Sequence, residues 1–388
     1  MRTEKRGTMS NTTNRRQFIR DISTAAAGAI VAGSGLMASC AARQNANRRQ
    51  VMIGGRRIKT IDTHCHGFVR EVVPLLNDVT WAGIVKSAVS GTRGGNRITP
   101  DFMGPERVAW MDQHGVDVQC VSINPYWYLA ERPLAEKLIA VQNEALAADA
   151  AKFPGRFVPW AGVALQFPDL AAQQLEEAVT KYKMPGAAIA CNIAGNELGS
   201  PMFDPFWAKC VELSAPLFMH PQAEGGQFNN RRWPEGMEKR MSINSAMGQP
   251  LDTSIALAHL IFEGTFDRFP GLRIIGAHGA GFLPAYIGRA DASCEWTPRG
   301  CKPLKKKPSE YFKEQIVIDS LVFNPEELRL RVEKYGVGQV VLGTDHPAPW
   351  PTKDVDDVLE TAGLTDAQKE AILSTNAMKL LKIPATIA

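Results

Sequence analysis

The chain has 388 residues, and its 45% apolar and 22% charged content is that of an ordinary globular protein that builds its core without disulfides. The formal net charge of +4 is unevenly spread: residues 1–59 carry twelve Lys/Arg against two Asp/Glu (+10), and the other 329 carry 32 against 38 (−6). The basic character therefore lies in the leader, and nothing in the composition supports nucleic-acid binding by the folded body.

The leader reads as a targeting segment. Arg15-Arg16-Gln17-Phe18-Ile19-Arg20 resembles the twin-arginine export signal, in which paired arginines precede an apolar stretch. From Ile22 to Ala42 there is no charge, and Ala, Gly and Ser dominate, which is apolar enough for a signal region but weak for a permanent span. The bland alternative is a disordered basic tail followed by an Ala/Gly linker. Residues 1–42 are thus expected to engage the twin-arginine export machinery and take the chain to the periplasm. Residues 43–57 would be a polar linker and 58–388 the folded domain. Leu36-Met37-Ala38-Ser39-Cys40 resembles a lipobox, in which Cys40 would carry a lipid anchor; an ordinary cut near Ala41 or Ala42 is the alternative.

After Ile58, short β-branched runs alternate with longer amphipathic ones. The runs are Lys59–Asp62, Val118–Ile123, Phe157–Leu165, Gly186–Cys191, Pro216–Met219, Arg273–Ala277, Gln315–Ile318 and Val340–Gly343. Most are almost continuously apolar, as strands covered on both faces must be. Helical spacing marks Pro105–His114, Leu134–Phe153, Asp169–Tyr182, Pro205–Leu213, Leu251–Phe269, Leu283–Cys294 and Pro325–Tyr335, with two more helices from Asp354 and Asp366. Asn324-Pro325 and Thr365-Asp366 carry helix-start chemistry. Eight such units predict an α/β fold, a closed (β/α)8 TIM barrel; an open doubly wound sheet is the alternative. The long segment Gly67–Gly104, with Trp81, Arg93 and Arg97, is expected over the barrel mouth.

Cys65, Cys120, Cys191 and Cys210 fall inside predicted elements without CxxC spacing and read as packing residues, whereas Cys294 and Cys301 flank a polar loop and can pair in an oxidising compartment.

Titratable residues collect at the strand ends. Asp62-Thr63-His64-Cys65-His66 ends the first strand, and residues two apart in an extended chain point the same way, so His64 and His66 share a space that Cys65 does not. His220 ends the fifth strand, His278 the sixth and Asp345 the eighth. In a barrel these ends converge on one mouth, and imidazoles with a carboxylate suit one divalent metal ion, Zn2+ or a similar ion such as Mn2+.

The set His64/His66, His220, His278 and Asp345 resembles the amidohydrolase superfamily. More narrowly it resembles the amidohydrolase-2 family, the branch that includes aminocarboxymuconate-semialdehyde decarboxylase. Pro154-Gly155-Arg156-Phe157, Phe269-Pro270-Gly271-Leu272, Ala277-His278-Gly279-Ala280-Gly281, Leu342-Gly343-Thr344-Asp345 and Asn376-Ala377 extend the likeness over most of 58–383. The resemblance implies that His64, His66, His220 and Asp345 hold the ion and that His278 is the acid/base group, with Asp345 also able to take a proton. No Lys follows the fourth strand, where Cys191 and Asn192 stand, which implies a mononuclear site. The family further implies a homodimer.

Other residues are weaker candidates. Tyr126, Trp127 and Tyr128 could stack on a planar substrate or simply pack a loop. Arg93, Arg97 and Arg107 are candidate carboxylate anchors. Asn192, Gln222 and Arg289 are weaker still, and Arg289 reads as structural. His346 either lines the mouth or completes a turn, while His259 and His114 read as packing and helix-end residues. The expected activity is non-oxidative decarboxylation of a small unsaturated or aromatic carboxylic acid. Hydrolysis of a lactone, ester or amide is the alternative, and a non-catalytic metal-dependent binding protein the third reading.

Overall fold

The structure is a computed structural model that describes residues 48–77, 79, 81, 92–93, 96–97, 102–221, 243–348, 350 and 354–386. The Arg15-Arg16 leader, Cys40 and Gln222 lie outside the described residues, as do the side chains of Arg93 and Arg97. The chain divides into Met1–Arg49 and Gln50–Ala388, and the second unit is the one described below.

Eight parallel strands form a closed ring: β1 Ile61–His66, β2 Val118–Ser122, β3 157–161, β4 Ala187–Ala190, β5 Leu217–His220, β6 Ile274–Gly276, β7 Ile316–Asp319 and β8 Val340–Val341. Neighbours pair in chain order, β1 with β2 and β4 through β8 in one continuous sheet. The third strand joins both sides through Val121 N to Val158 O (3.0 Å) and Ala188 N to Ala161 O (2.9 Å). The ring closes where Thr63 N donates to Leu342 O (2.9 Å) and His66 N to His346 O (2.7 Å). Closure rules out the open sheet.

The strands alternate with α1 Pro105–His114, α2 Arg132–Ala151, α3 Pro168–Thr180, α4 Asp204–Glu212, α5 Gln249–Phe262, α6 Leu283–Trp296 and α7 Pro325–Tyr335. All seven carry Pro in the first two positions, where its missing N–H costs nothing. Asn324 Oδ1 caps α7 by accepting from Glu327 N at 3.1 Å. The helix expected over Leu251–Phe269 is two, because Gly264 takes a left-handed φ of 74° between them. Pro308–Glu314 is a further helix the spacing did not predict. In the long segment after β1, a 3-10 turn at Arg70–Leu76 buries Val72 and Leu76 and packs against α2.

Every strand contributes to one apolar plug inside the barrel: Ile61, Val118 with Cys120, Trp160, Ala188, Phe218, Ile275, Val317 and Val341. The plug sets the height of the site. Two residues further along, the same faces of β5, β7 and β8 present His220, Asp319 and Gly343. The first strand needs a correction to keep step, because Ile61 and His64 are an odd number of residues apart. A register shift between Asp62 and Cys65 supplies it, so Ile61 faces the plug below while His64 and His66 face the mouth above. Cys65 turns outward into the strand–helix layer, as expected. Gly343 leaves the room that this crowding requires: a Cβ there would stand 2.9 Å from His64 Cβ and 3.0 Å from Asp319 Cβ.

Candidate metal centre

His64, His66, His220 and Asp345 each turn one ligand atom into a common space, all within 4.8 Å of one another. His66 Nε2 lies 2.9 Å and His64 Nε2 3.3 Å from Asp345 Oδ1. The ring of His220 stands 5.2 Å from that of His64 and 4.5 Å from that of His66, centroid to centroid. Phe218 floors the group, 4.9 Å below His64 and backed by Trp160.

The far nitrogens of the first-strand pair are held by the protein. His64 Nδ1 donates to Asp319 Oδ2 at 2.6 Å, and His66 Nδ1 donates to Ser122 Oγ at 3.0 Å while that hydroxyl donates to Cys65 O. Both rings therefore turn Nε2 toward the common space. Two imidazole nitrogens crowded on one carboxylate oxygen call for a cation among them, a metal ion or, on His64, a proton. His64 Nε2 and both nitrogens of His220 are buried without a hydrogen-bond partner, which is how ligand atoms look when everything but their ion is accounted for. The donor set fits a divalent metal ion.

The electrostatics agree. Burial lowers His66 to about 4 and holds His220 well below its ordinary value, so both rings are neutral ligands near neutrality. Burial also disfavours a charged His64, but Asp319 and Asp345 outweigh it and raise the group to about 10, so a metal must displace a proton there. Burial pushes Asp345 up, and the imidazoles of His278, His64 and His66 that face it reverse this, holding the carboxylate well below its usual range.

His278 follows β6 in the left-handed region (φ 56°, ψ 52°), and Asp345 has φ 59°. Such backbone is costly for a residue with a side chain and persists only where neighbours enforce it. Asp319 enforces the first, accepting from His278 N at 2.9 Å and Gly279 N at 2.7 Å. His64 O enforces the second, accepting from Asp345 N at 2.8 Å. His278 Nε2 ends 3.7 Å from Asp345 Oδ2, and both its ring nitrogens are buried and unbonded. It stands beside the four ligand atoms.

Residues 61–383 match the amidohydrolase family. The chain belongs to that family. It is 29% identical over 282 residues to a 2-amino-3-carboxymuconate-6-semialdehyde decarboxylase of Dictyostelium discoideum, covering 71% of this chain and 75% of the relative. It is also 29% identical over 293 residues to a gamma-resorcylate decarboxylase of Rhodococcus jostii, covering 71% and 87%. Among solved structures it resembles the 5-carboxyvanillate decarboxylase of Novosphingobium aromaticivorans, complexed with manganese and 4-hydroxy-3-methoxy-5-nitrobenzoic acid, with a TM-score of 0.74 at 24% identity over 84% of this chain and 96% of that one. The likeness of fold agrees with the closed barrel.

Several other sequence candidates take structural places in this amidohydrolase. Arg107, a candidate carboxylate anchor, is buried instead: Nε donates to Gln119 Oε1 at 2.7 Å and Nη1 to His66 O at 2.5 Å. Gln119 passes the network to Asp62, which also accepts from Thr344 and ties β1 to β8; burial raises Asp62 to about 6. Trp127 is core, donating to Val163 O at 2.8 Å, and Tyr128 is buried at Ala190 N. Tyr126 is buried beside Phe68 and Trp81, its hydroxyl without a partner. Asn192 shapes a hairpin by accepting from Gly195 N, and Arg289 lies on the exposed side of α6. His346 packs on Trp110, which also stacks on His114, and His259 of α5 pairs with Glu263 just past the helix end.

Asp319, Ser122 and Trp350 are site residues that the sequence reading missed. Asp319 had a signal, a carboxylate closing the apolar run Ile316-Val317-Ile318. Ser122 and Trp350 had none. The four packing cysteines are buried and stand outside any disulfide, and Cys294 and Cys301 form one.

Proposed function

We propose that this amidohydrolase is a divalent-metal-dependent, non-oxidative carboxy-lyase of a small aromatic or unsaturated carboxylic acid. The observation that carries the reading is one cluster, in which four ligand atoms gather within 4.8 Å with His278 alongside and unbonded. The names of the relatives supply the reaction class, since they are decarboxylases of muconate-type and hydroxybenzoate-type acids. His64, His66, His220 and Asp345 would hold the ion. Three imidazoles and a carboxylate suit zinc or manganese, and the neighbouring structure holds manganese. When bound, the ion supplies positive charge that binds substrate oxygens and draws electron density from the reacting carbon.

In the reaction one C–C bond breaks, one C–H bond forms, a proton is consumed and CO2 leaves. His278 is assigned the proton, delivered from Nε2, the atom nearest Asp345 Oδ2. Trp160, Phe218 and the rest of the plug close the floor below the site. Incubating the metal-loaded chain with hydroxybenzoates and muconate-type acids should release CO2 in step with substrate loss. Cleavage of lactones, esters or amides with no CO2 from any acid would replace this reading with hydrolysis.

Export belongs to the same proposal. Arg15-Arg16, the uncharged stretch that follows and the Cys294–Cys301 disulfide all fit a folded chain delivered to an oxidising periplasm. Intact mass should show a mature chain that begins at a lipidated Cys40 or near Ala42; an uncut Met1 would contradict export. Light scattering would test the homodimer.

A further inference from the structure

Asp345 divides its carboxylate between two neighbourhoods. Oδ1 faces the imidazoles, 2.9 Å from His66 Nε2 and 3.3 Å from His64 Nε2. Oδ2 faces away from them: Trp350 Nε1 donates to it at 2.6 Å, and His278 Nε2 stands 3.7 Å off. An indole N–H can only donate, and a hydrogen bond to an ionised carboxylate is about twice as strong as one between neutral groups.

The indole is itself held in place. Phe323 comes from the loop after β7 and meets Trp350 at 5.2 Å between ring centroids, with 64° between the ring planes. Phe323 is 52% exposed and takes a left-handed φ of 57°, so it is neither well buried nor in comfortable backbone. The contact it makes is the one that brackets Trp350. The loops after β7 and β8 thus close on each other over one oxygen of Asp345.

We propose that Trp350 is a positioning residue for the metal, acting through Asp345. By occupying Oδ2 it leaves Oδ1 as the single carboxylate oxygen offered to the ion, and it keeps Oδ2 beside His278. Without the indole, Asp345 is free to swing and offer both oxygens, and the number of ligand atoms around the ion changes. This inference rests on the metal-centre reading above.

Co2+ binding to the full chain tests it with a readout other than turnover. Trp350→Phe removes the N–H and keeps an aromatic ring, while Phe323→Leu keeps the N–H and loosens the bracket. Trp350→Phe should bind Co2+ about 10- to 100-fold more weakly in a chelator competition. Its visible Co2+ absorption should also weaken, as it does when coordination number rises, and Phe323→Leu should fall between. Wild-type affinity and spectrum in Trp350→Phe would overturn the inference. Should Trp350→Phe fold poorly, Phe323→Leu decides: an altered Co2+ spectrum supports the bracket and an unchanged one overturns it. A wild-type chain that binds no Co2+ would bring down the metal centre itself, and this inference with it.

Discussion

Replacing His278 with alanine should lower kcat on an accepted carboxylic acid by roughly 10²- to 10⁴-fold, the range for loss of a general acid–base group, while the bound ion stays. The separation is expected because His278 is not among the four atoms that gather within 4.8 Å. Its ring nitrogens bond nothing, so their removal strands no partner. Its backbone is held by Asp319 through two N–H groups that alanine also has. KM should move much less than kcat, because the lost group acts on the proton and not on substrate affinity. Steady-state kinetics with metal analysis of the same sample read both quantities. Unchanged turnover would remove His278 from the reaction, and loss of the ion would make it a ligand.

Asp319→Ala should cost more in structure than any substitution of the ligands themselves. The carboxylate is fully buried and accepts from His64 Nδ1, His278 N, Gly279 N and Leu321 N. Alanine leaves all four donors without their acceptor. Breaking a buried charged pair from one side typically costs about 3–5 kcal/mol. The metal should be held about 10- to 100-fold more weakly, since His64 loses the partner that fixes its tautomer and orientation. Thermal unfolding of the metal-free chain reads the first effect and chelator competition the second. A variant that melts with the wild type and holds metal as tightly would show that Asp319 does not organise this end of the barrel.

The architecture was legible because both-face burial writes a plain signal: eight apolar runs separated by amphipathic stretches. The site was legible for a related reason, since imidazoles and carboxylates at the ends of apolar strands have no packing role to explain them. His64, His66, His220, His278 and Asp345 all come together in the structure. What periodicity could not show was the register shift between Asp62 and Cys65, which reconciles Ile61 below with His64 above. Arg107 was misread because a guanidinium binds a backbone carbonyl and a side-chain amide as readily as a carboxylate, and only the fold says which is near. Trp350 was invisible because its partner, Asp345 Oδ2, is placed by how the chain turns after β8, through the left-handed backbone of Asp345 that no spacing announces.

On the proposed function, decarboxylation at the barrel mouth depends on one divalent ion held by His64, His66, His220 and Asp345. The most direct measurement is CO2 release from one accepted acid by the chain as purified, after exhaustive chelation, and after re-addition of Mn2+ or Zn2+, with metal content determined at each stage. Close to one ion per chain is expected at the start, with CO2 release lost as the ion is lost and both recovered together. Full CO2 release from a chain shown to carry no metal would contradict it.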